Sequence, residues 1–217
     1  MNLDAQSDSE EITKGPDFKS GFTRIPNDAY FTIDTWATWA VLPFLPKPKP
    51  KKVLWEPACG MGHMSEVYME AGYNVRSTDI KDHGYAFHYA TEDFLKAGPR
   101  VDVNIIASNF PFTEPGRAGG ELAHACIKHA LDLMMARKYQ PTGFVAALLR
   151  KDFDSAANRR AIFGDNKHHM AKIELLKRPV WIEGTTNGGR HNYTWHIWSA
   201  KHDGPCTTHY VHPDDLN

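Results

Sequence analysis

Long apolar runs and paired cysteines are both missing from the 217-residue sequence. No apolar stretch approaches the roughly 20 residues that a membrane-spanning helix needs, so we expect no membrane partner. The first residues, MNLDAQSDSEEITKG, are acidic and polar, unlike a signal or transit peptide. Three cysteines cannot all pair and none forms a C-x-x-C motif, which argues against a disulfide framework. The sequence therefore predicts a reduced, soluble protein of the cytoplasm.

A strong charge of either sign is also missing, since the net charge is −1. The composition therefore does not indicate a strongly basic nucleic-acid-binding domain. Residues 150–202 are nevertheless locally basic, with ten Lys or Arg against five Asp or Glu. That excess fits a face that binds polyanions and equally an ordinary solvated surface, because neighbours in sequence need not be neighbours in space.

Metal-binding spacings are absent as well. Cys206, His209 and His212 are three residues apart in CTTHYVH, but zinc would need a fourth ligand, such as His202, and a more familiar spacing. We therefore predict no metal site.

What the sequence does contain is an alternation of strand-like and helix-like segments from residue 52 onward. Five apolar segments predict strands: KKVLWEP, YNVRSTDI, YAFHYATEDFL, VDVNIIASNFPF and TGFVAALLRKDF. Helical spacing marks DTWATWAVLPFL, CGMGHMSEVYMEAG, GGELAHACIKHALDLMMARK and SAANRRAIFGD. The aromatic-rich KIELLKRPVWIEG and NYTWHIWSAKH, joined by a turn-prone loop, predict a closing hairpin.

This pattern predicts an α/β sandwich with a mostly parallel, seven-stranded sheet and a terminal antiparallel hairpin. We expect residues 1–24 to be a disordered tail, 25–202 to form one domain and 203–217 to be a second tail. Tryptophans on strands of such a sandwich are expected in the core rather than against a ligand. These are Trp55, Trp181, Trp195 and Trp198.

Suggestive side chains follow three of the predicted strands. The glycine turn that begins at Glu56 lets the backbone approach a ligand at Gly60 and Gly62, but position 65 is serine, so the dinucleotide fingerprint is incomplete. Asp79 ends the second strand, where a carboxylate can accept both hydroxyls of a ribose; the alternative is a helix cap. Asp93 ends the third and would suit an adenine amino group or simply a loop.

The fourth strand ends in SNFPF, residues 108–112, which places an amide, two aromatic rings and a proline at the same sheet edge. Ligands of open α/β sheets bind beyond the carboxyl ends of the strands. Because the glycine turn, the two acids and this tip follow one another in this order, a binding role is better supported for each of them than it would be for that feature alone.

In this order the chain resembles the class I S-adenosylmethionine-dependent methyltransferases, which have a Rossmann-like fold. Within them it is most similar to the DNA adenine-N6 or cytosine-N4 methyltransferases, in the short form found in phages and prophages. The resemblance covers about residues 28–201. It is carried by the segments DAYFTIDTWATWAVLPFL, EPACGMG, SNFPF (similar to the family's Asn-Pro-Pro-Phe/Tyr), ALLR and RPVW.

The resemblance implies methyl transfer from S-adenosylmethionine to an exocyclic amino group of a DNA base, adenine N6 before cytosine N4, in a bacterial cell or phage-infected host. The implied catalytic residues are Asn109, Phe110 through its carbonyl group, Pro111 and Phe112. The implied cofactor-binding residues are Phe31, Thr32, Glu56, Pro57, Ala58, Cys59, Gly60, Gly62, Asp79, Ile80, Asp93, Phe94 and Asn109. The expected substrate contacts are Phe112, Arg117, Arg150 and Arg190.

Two positions depart from the family pattern, because Phe110 and Ile33 each stand where the family has proline. Three interpretations therefore stay open: a DNA amino-methyltransferase, a methyltransferase for an RNA base or a protein glutamine, and a cofactor-binding homologue that no longer transfers. A nicotinamide dehydrogenase would not need the Asn-x-Pro-Phe tip. The sequence indicates no oligomeric state.

Overall fold

A computed structural model describes residues 31–112, 120–135, 142–181, 189 and 191–216. Eight strands form a single sheet. They are β1 (Val53–Glu56), β2 (Asn74–Asp79), β3 (His88–Thr91), β4 (Val103–Ser108), β5 (Phe144–Arg150), β6 (His169–Leu175), β7 (Tyr193–Ser199) and β8 (Thr207–Val211). The α-helices are α1 (Trp36–Trp39), α2 (His63–Glu70) and α3 (Glu121–Met135).

The strands lie in the order β3-β2-β1-β4-β5-β7-β6-β8. Strands β1 to β5 pair in parallel, and β7 is antiparallel to both of its neighbours, β5 and β6. The α/β fold with a mostly parallel sheet and the β6–β7 hairpin is therefore confirmed.

The prediction of seven strands is wrong, because β8 adds an eighth that pairs in parallel with β6. Residues 203–217 were expected to be a tail outside the sheet, but 207–211 form this strand. A short 3₁₀ helix, Pro213–Leu216, follows it, and Leu216 packs against the core on the α1 face. The expected N-terminal tail, residues 1–24, lies outside the described residues.

Apolar runs in β4 and β5 explain why these strands occupy the centre of the sheet. All six residues of β4 are buried, as are five of the seven in β5, as expected for parallel strands covered on both faces. Successive residues face opposite cores: Ile106 packs on the α3 side, and Ile105 packs on the side of α1 and α2.

Trp55, Trp195 and Trp198 lie on strands and are buried, as expected from the sequence, with exposed fractions of 1% or less. Trp181 was also expected on a strand, but it lies in the segment that follows β6; it too is buried, with 8% of its surface exposed. The indole Nε1 of Trp195 donates to the Ala37 carbonyl oxygen at 2.6 Å and so ties α1 to β7. Trp198 donates in the same way to Ile162 at 2.7 Å, which fixes a 3₁₀ helix on the opposite face. Within the described residues, the helices are too short or too polar to cross a membrane.

Candidate active site

Parallel pairing brings the expected site residues to one edge of the sheet. The strands β2, β1, β4 and β5 are neighbours and point the same way. Their carboxyl ends carry Asp79, Glu56, Asn109 and Arg150, respectively. Residues up to 94 positions apart in sequence thus share one rim, as the resemblance implied.

The glycine turn after β1 closes onto the end of β2. The Gly60 backbone N–H donates to Asp79 Oδ2 at 2.9 Å, and φ is +54° at Gly60 and +84° at Gly62. A Cβ at Gly60 would lie 2.4 Å from the Phe31 ring, and one at Gly62 would lie 2.2 Å from the Tyr85 ring. Both glycines are therefore required by backbone conformation and by close packing.

Asp79 is buried, with 8% of its surface exposed, and both of its carboxylate oxygens accept backbone hydrogen bonds. Besides the Gly60 bond, Oδ1 accepts from the Lys81 N–H at 3.1 Å. Each carboxylate oxygen has a second lone pair, so the fixed carboxylate can still accept from a ligand. Ile80, the next residue, leaves 72% of its surface exposed, so an apolar side chain projects beside the acid.

Glu56 lies below the glycine turn with only 1% of its surface exposed. Its carboxyl accepts a short hydrogen bond from Ser65 Oγ, which lies 2.6 Å from Ser77 Oγ. Burial, reinforced by the negative charge of Asp79, raises the pKa of Glu56 well above its ordinary value. A raised pKa favours the neutral carboxylic acid.

A cleft opens between the glycine turn and the end of β4. It is lined by Phe31, Thr32, Glu56, Ala58, Cys59, His63, Met64 and Asn109. All except His63 and Met64 were expected from the sequence. These two are the first residues of α2, so continuing the glycine motif into its helix would have identified them.

Cys59 in this cleft is buried, and its Sγ lies 3.8 Å from His88 Nδ1. Burial and the charges of Glu56 and Asp79 raise the pKa of the thiol to about 12. The side chain is therefore a neutral thiol at physiological pH. Pro57 is also buried.

Asp93 caps the 3₁₀ helix Phe94–Lys96, because its Oδ1 accepts from the Leu95 N–H at 3.1 Å. A hydrogen bond from Lys96 lowers the pKa of Asp93. Its expected contact with an adenine remains a prediction.

Asn109 is the polar side chain at the tip of β4. Its Nδ2 donates to Thr32 Oγ1 at 3.1 Å, which sets the orientation of the amide. Its Oδ1 is buried and has no hydrogen-bond partner among the described residues. A buried acceptor without a partner costs about 1–3 kcal/mol, so a donor that reached this oxygen would stabilise it.

Phe110 directs its ring away from the cleft. The residue is 1% exposed, and its ring stacks on Phe94 with centroids 5.6 Å apart and an angle of 22° between planes. Trp55 meets Phe94 from the other side, edge to face at 5.1 Å. The aromatic residue at the family's proline position is therefore a core residue, and only its backbone can serve the site.

Phe112 and Arg150 form the outer wall of the tip. The Arg150 guanidinium carbon lies 5.0 Å from the centre of the Phe112 ring, and Phe153 meets that ring edge-on at 6.0 Å. Pro111 and Arg150 are exposed, and Phe112 is partly buried. Three of the residues predicted for catalysis or substrate contact thus lie together: Pro111, Phe112 and Arg150.

The remaining substrate predictions, Arg117 and Arg190, lie outside the described residues. In the described parts of the chain, no three His, Cys, Asp or Glu side chains are grouped so that they could hold a metal ion.

No protein-family sequence model matches the chain, and no curated protein sequence matches it. Solved structures do match. The type IIG restriction endonuclease BpuSI matches with a TM-score of 0.53 and 12% identity, over 85% of this chain and 27% of that one. The methyltransferase subunit of a type I restriction-modification system from Streptococcus thermophilus matches with a TM-score of 0.52 and 12% identity, over 83% and 46%.

A third match is a small-molecule enzyme, 1,6-didemethyltoxoflavin-N1-methyltransferase from Burkholderia thailandensis, solved with S-adenosylhomocysteine bound. Its TM-score is 0.51 at 10% identity, over 76% of this chain and 77% of that one. At such identities the likeness establishes the fold, which is the Rossmann-like fold of methyltransferases. The chain spans about a quarter of the endonuclease and under half of the type I subunit.

Proposed function

We propose that the protein is an S-adenosylmethionine-dependent methyltransferase that acts on an exocyclic amino group of a DNA base. Adenine N6 is the first candidate and cytosine N4 the second, following the sequence resemblance. The fold supports methyl transfer, and two of the matching structures belong to restriction-modification enzymes.

The observation that carries the proposal is the arrangement of the Asn109 amide. Thr32 binds its Nδ2, and Oδ1 is buried and has no hydrogen-bond partner among the described residues. An sp² NH₂ group has the donor that this oxygen lacks. The Asn109 side-chain oxygen and the Phe110 backbone carbonyl can each accept one of the two hydrogens of such a group.

The residues at the ends of β1 and β2 fit the cofactor. The Asp79 carboxylate, held by two backbone N–H groups, would accept the ribose hydroxyls, and exposed Ile80 would cover one face of the adenine. The glycine turn brings backbone close to the ligand. When bound, S-adenosylmethionine supplies a methyl group made electrophilic by its positive sulfur.

The chain's own contribution is to localise the lone pair of the acceptor nitrogen. An exocyclic amino nitrogen is a weak nucleophile because its lone pair is delocalised into the ring. Hydrogen bonds to Asn109 Oδ1 and the Phe110 carbonyl favour a pyramidal nitrogen. Since Thr32 and the buried Phe110 ring hold these acceptors in place, most of the gain is preorganisation.

Phe112 would stack on the target base. A base inside a duplex cannot reach the tip of β4, so it must leave the stack. The partly buried Phe112 ring lies at the rim, with the Arg150 guanidinium over one of its faces at 5.0 Å from the ring centre.

The test uses S-adenosylmethionine that carries a labelled methyl group. Purified protein is incubated separately with double-stranded DNA, single-stranded DNA, RNA and cell protein, and Asn109→Ala serves as the matched control. We expect label in DNA with the wild type and none with the variant.

Label in RNA or protein would replace the DNA assignment with one of the other acceptors. Label in none of the four, with cofactor binding confirmed by calorimetry, would identify a binding protein that no longer transfers.

A further inference from the structure

We propose that three cations at the carboxyl ends of β5 and β6, Arg150, Lys177 and Arg178, form a phosphate-binding rim that seats the DNA backbone beside the active site. We call these three residues the basic rim. The inference rests on the proposed function and adds the surface on which the acceptor lies.

Hydrogen bonds at the hairpin bring the three cations to one edge. Arg150 is opposite Tyr193 in the antiparallel pairing of β5 and β7. The neighbouring Asn192 carbonyl oxygen accepts from the Lys151 N–H at 2.9 Å. The Asn192 side-chain oxygen accepts from Arg178 Nε, also at 2.9 Å. Asn192 thus joins the end of β5 to the segment that follows β6.

A second set of bonds connects this segment to the catalytic tip. The Val180 N–H donates to Asp34 Oδ2 at 3.0 Å. Asp34 lies two residues after Thr32, whose hydroxyl oxygen accepts from the Asn109 amide. The chain from Lys177 to Val180 therefore runs from the hairpin to the border of the cleft.

The cations of the basic rim are exposed and not neutralised by described residues. Arg150 contacts the Phe112 ring, and neither it nor Lys177 has an ion pair or hydrogen bond with a described side chain. Arg178 makes only its Nε bond to Asn192 in the described part of the chain, so its terminal nitrogens are available.

The acidic groups nearby leave an excess of positive charge. Glu174 is 3.2 Å from Lys151 and Asp154 is 2.6 Å from Lys172, so these acids already have partners. Asp34 accepts from the Val180 N–H, and Asp152, next to Lys151, is an exposed carboxylate among the described residues. A polyanion is therefore the complementary partner.

The opposite end of the sheet supplies a matched control. Lys47 and Lys49 are exposed and precede β1, so they lie at the amino end of the parallel strands. If DNA bound through charge alone, it would use both the basic rim and the segment that contains Lys47 and Lys49. A surface organised around Asn109 would use only the basic rim.

The test is the salt dependence of binding to a fluorescent, unmethylated DNA duplex, measured for the full chain in the presence of S-adenosylhomocysteine. The log of the binding constant falls linearly with the log of salt concentration, with a slope set by the number of phosphate contacts. We expect the double variant Lys177→Gln/Arg178→Gln to lower the magnitude of this slope by about 2, since each lost contact contributes about 1.

Two further variants separate charge from structure. Lys47→Gln/Lys49→Gln removes the same charge at the other end and should leave the slope unchanged. Arg178→Lys keeps the charge while losing the bond to Asn192, and it should keep most of the slope. Thermal melting of each variant checks that the fold is intact.

An unchanged slope in Lys177→Gln/Arg178→Gln would overturn the inference, as would an equal loss in the Lys47/Lys49 variant. Either result leaves methyl transfer to DNA untouched. Failure of the wild type itself to bind DNA at low salt would instead contradict the proposed DNA acceptor, and the basic rim with it.

Discussion

The two halves of the site rim differ in how completely their polar groups are partnered. At the ends of β1 and β2, Glu56, Ser65 and Asp79 are buried and hydrogen-bonded to the protein itself. At the ends of β4 and β5, the Asn109 oxygen lacks a partner among the described residues and Arg150 is exposed. The polar groups of the first half are therefore already fixed within the protein, whereas those of the second half are left for the acceptor that we propose.

The largest expected effect comes from Asn109→Ala, which removes the side-chain amide at the end of β4. We expect the rate of transfer to fall on the order of 10³-fold or more, the scale of losing a preorganised hydrogen bond in an active site. The affinity for S-adenosylhomocysteine should change little, because Asp79 and the glycine turn remain. Single-turnover transfer and calorimetric binding measure the two quantities. Full activity in the variant would remove Asn109 from the mechanism.

Phe110→Ala should act on stability, because the ring of Phe110 packs on Phe94 of the 3₁₀ helix that follows β3. Removing a buried phenylalanine ring costs about 3–5 kcal/mol in the free energy of unfolding. Urea denaturation measures this loss, and Phe110→Leu should lose clearly less. Folded Phe110→Ala should still transfer, since the backbone carbonyl remains. Unchanged stability would mean that the ring is not a core residue.

Asp79→Ala should weaken binding of S-adenosylhomocysteine by roughly 10- to 100-fold, because hydrogen bonds to a charged group contribute about 1.5–3 kcal/mol each. Asp79→Asn keeps an acceptor for the Gly60 N–H and should lose less. At saturating cofactor, transfer by either variant should approach that of the wild type. Wild-type affinity in Asp79→Ala would show that the cofactor does not use this acid.

The smallest effects concern pH, and Glu56 of the rim should respond with the opposite sign to a buried histidine pair on the β6–β7 hairpin. The raised pKa of Glu56 means that the folded chain keeps a proton that the unfolded chain has lost above about pH 4.3. This group's stabilising contribution is present below that pH and is lost as pH rises through the folded pKa. Glu56→Gln should therefore lessen the loss of stability as pH rises above about 4.3.

On the hairpin, burial lowers the pKa of His169 to about 4 and also lowers that of His196, whose Nδ1 lies 3.2 Å from His169 Nε2. The unfolded chain binds protons at these histidines below about pH 6.5, while the folded chain resists until about pH 4. Their contribution is thus present above the unfolded value and lost as pH falls. His169→Gln should flatten the acid side, and parallel profiles for the Glu56 and His169 variants would contradict this assignment.

The sequence predicts the site residues at the ends of β1, β2 and β4 well, because their signals are local. The glycine turn, Asp79 and Asn109 each follow an apolar run whose end can be recognised without knowing the fold. Parallel pairing then brings them together by necessity, since the carboxyl ends of parallel strands share an edge. Asn109, Thr32 and the glycine turn do share one cleft.

Other features depend on contacts that no local pattern encodes. The segment TTHYV of β8 is mostly exposed and lacks an apolar run, so it resembles a tail until it pairs with β6. The burial of the Phe110 ring depends on Phe94, which lies in the 3₁₀ helix that follows β3. The approach of Val180 to Asp34 joins residues 146 positions apart.

The most direct test of methyl transfer to a DNA base is nucleoside mass spectrometry of unmethylated DNA after incubation with S-adenosylmethionine and the protein. We expect N6-methyladenine with the wild type and none with Asn109→Ala. Detection of N4-methylcytosine instead would support the same mechanism with cytosine as the target base. DNA that carries neither product, from protein shown to bind the cofactor, would contradict the central claim.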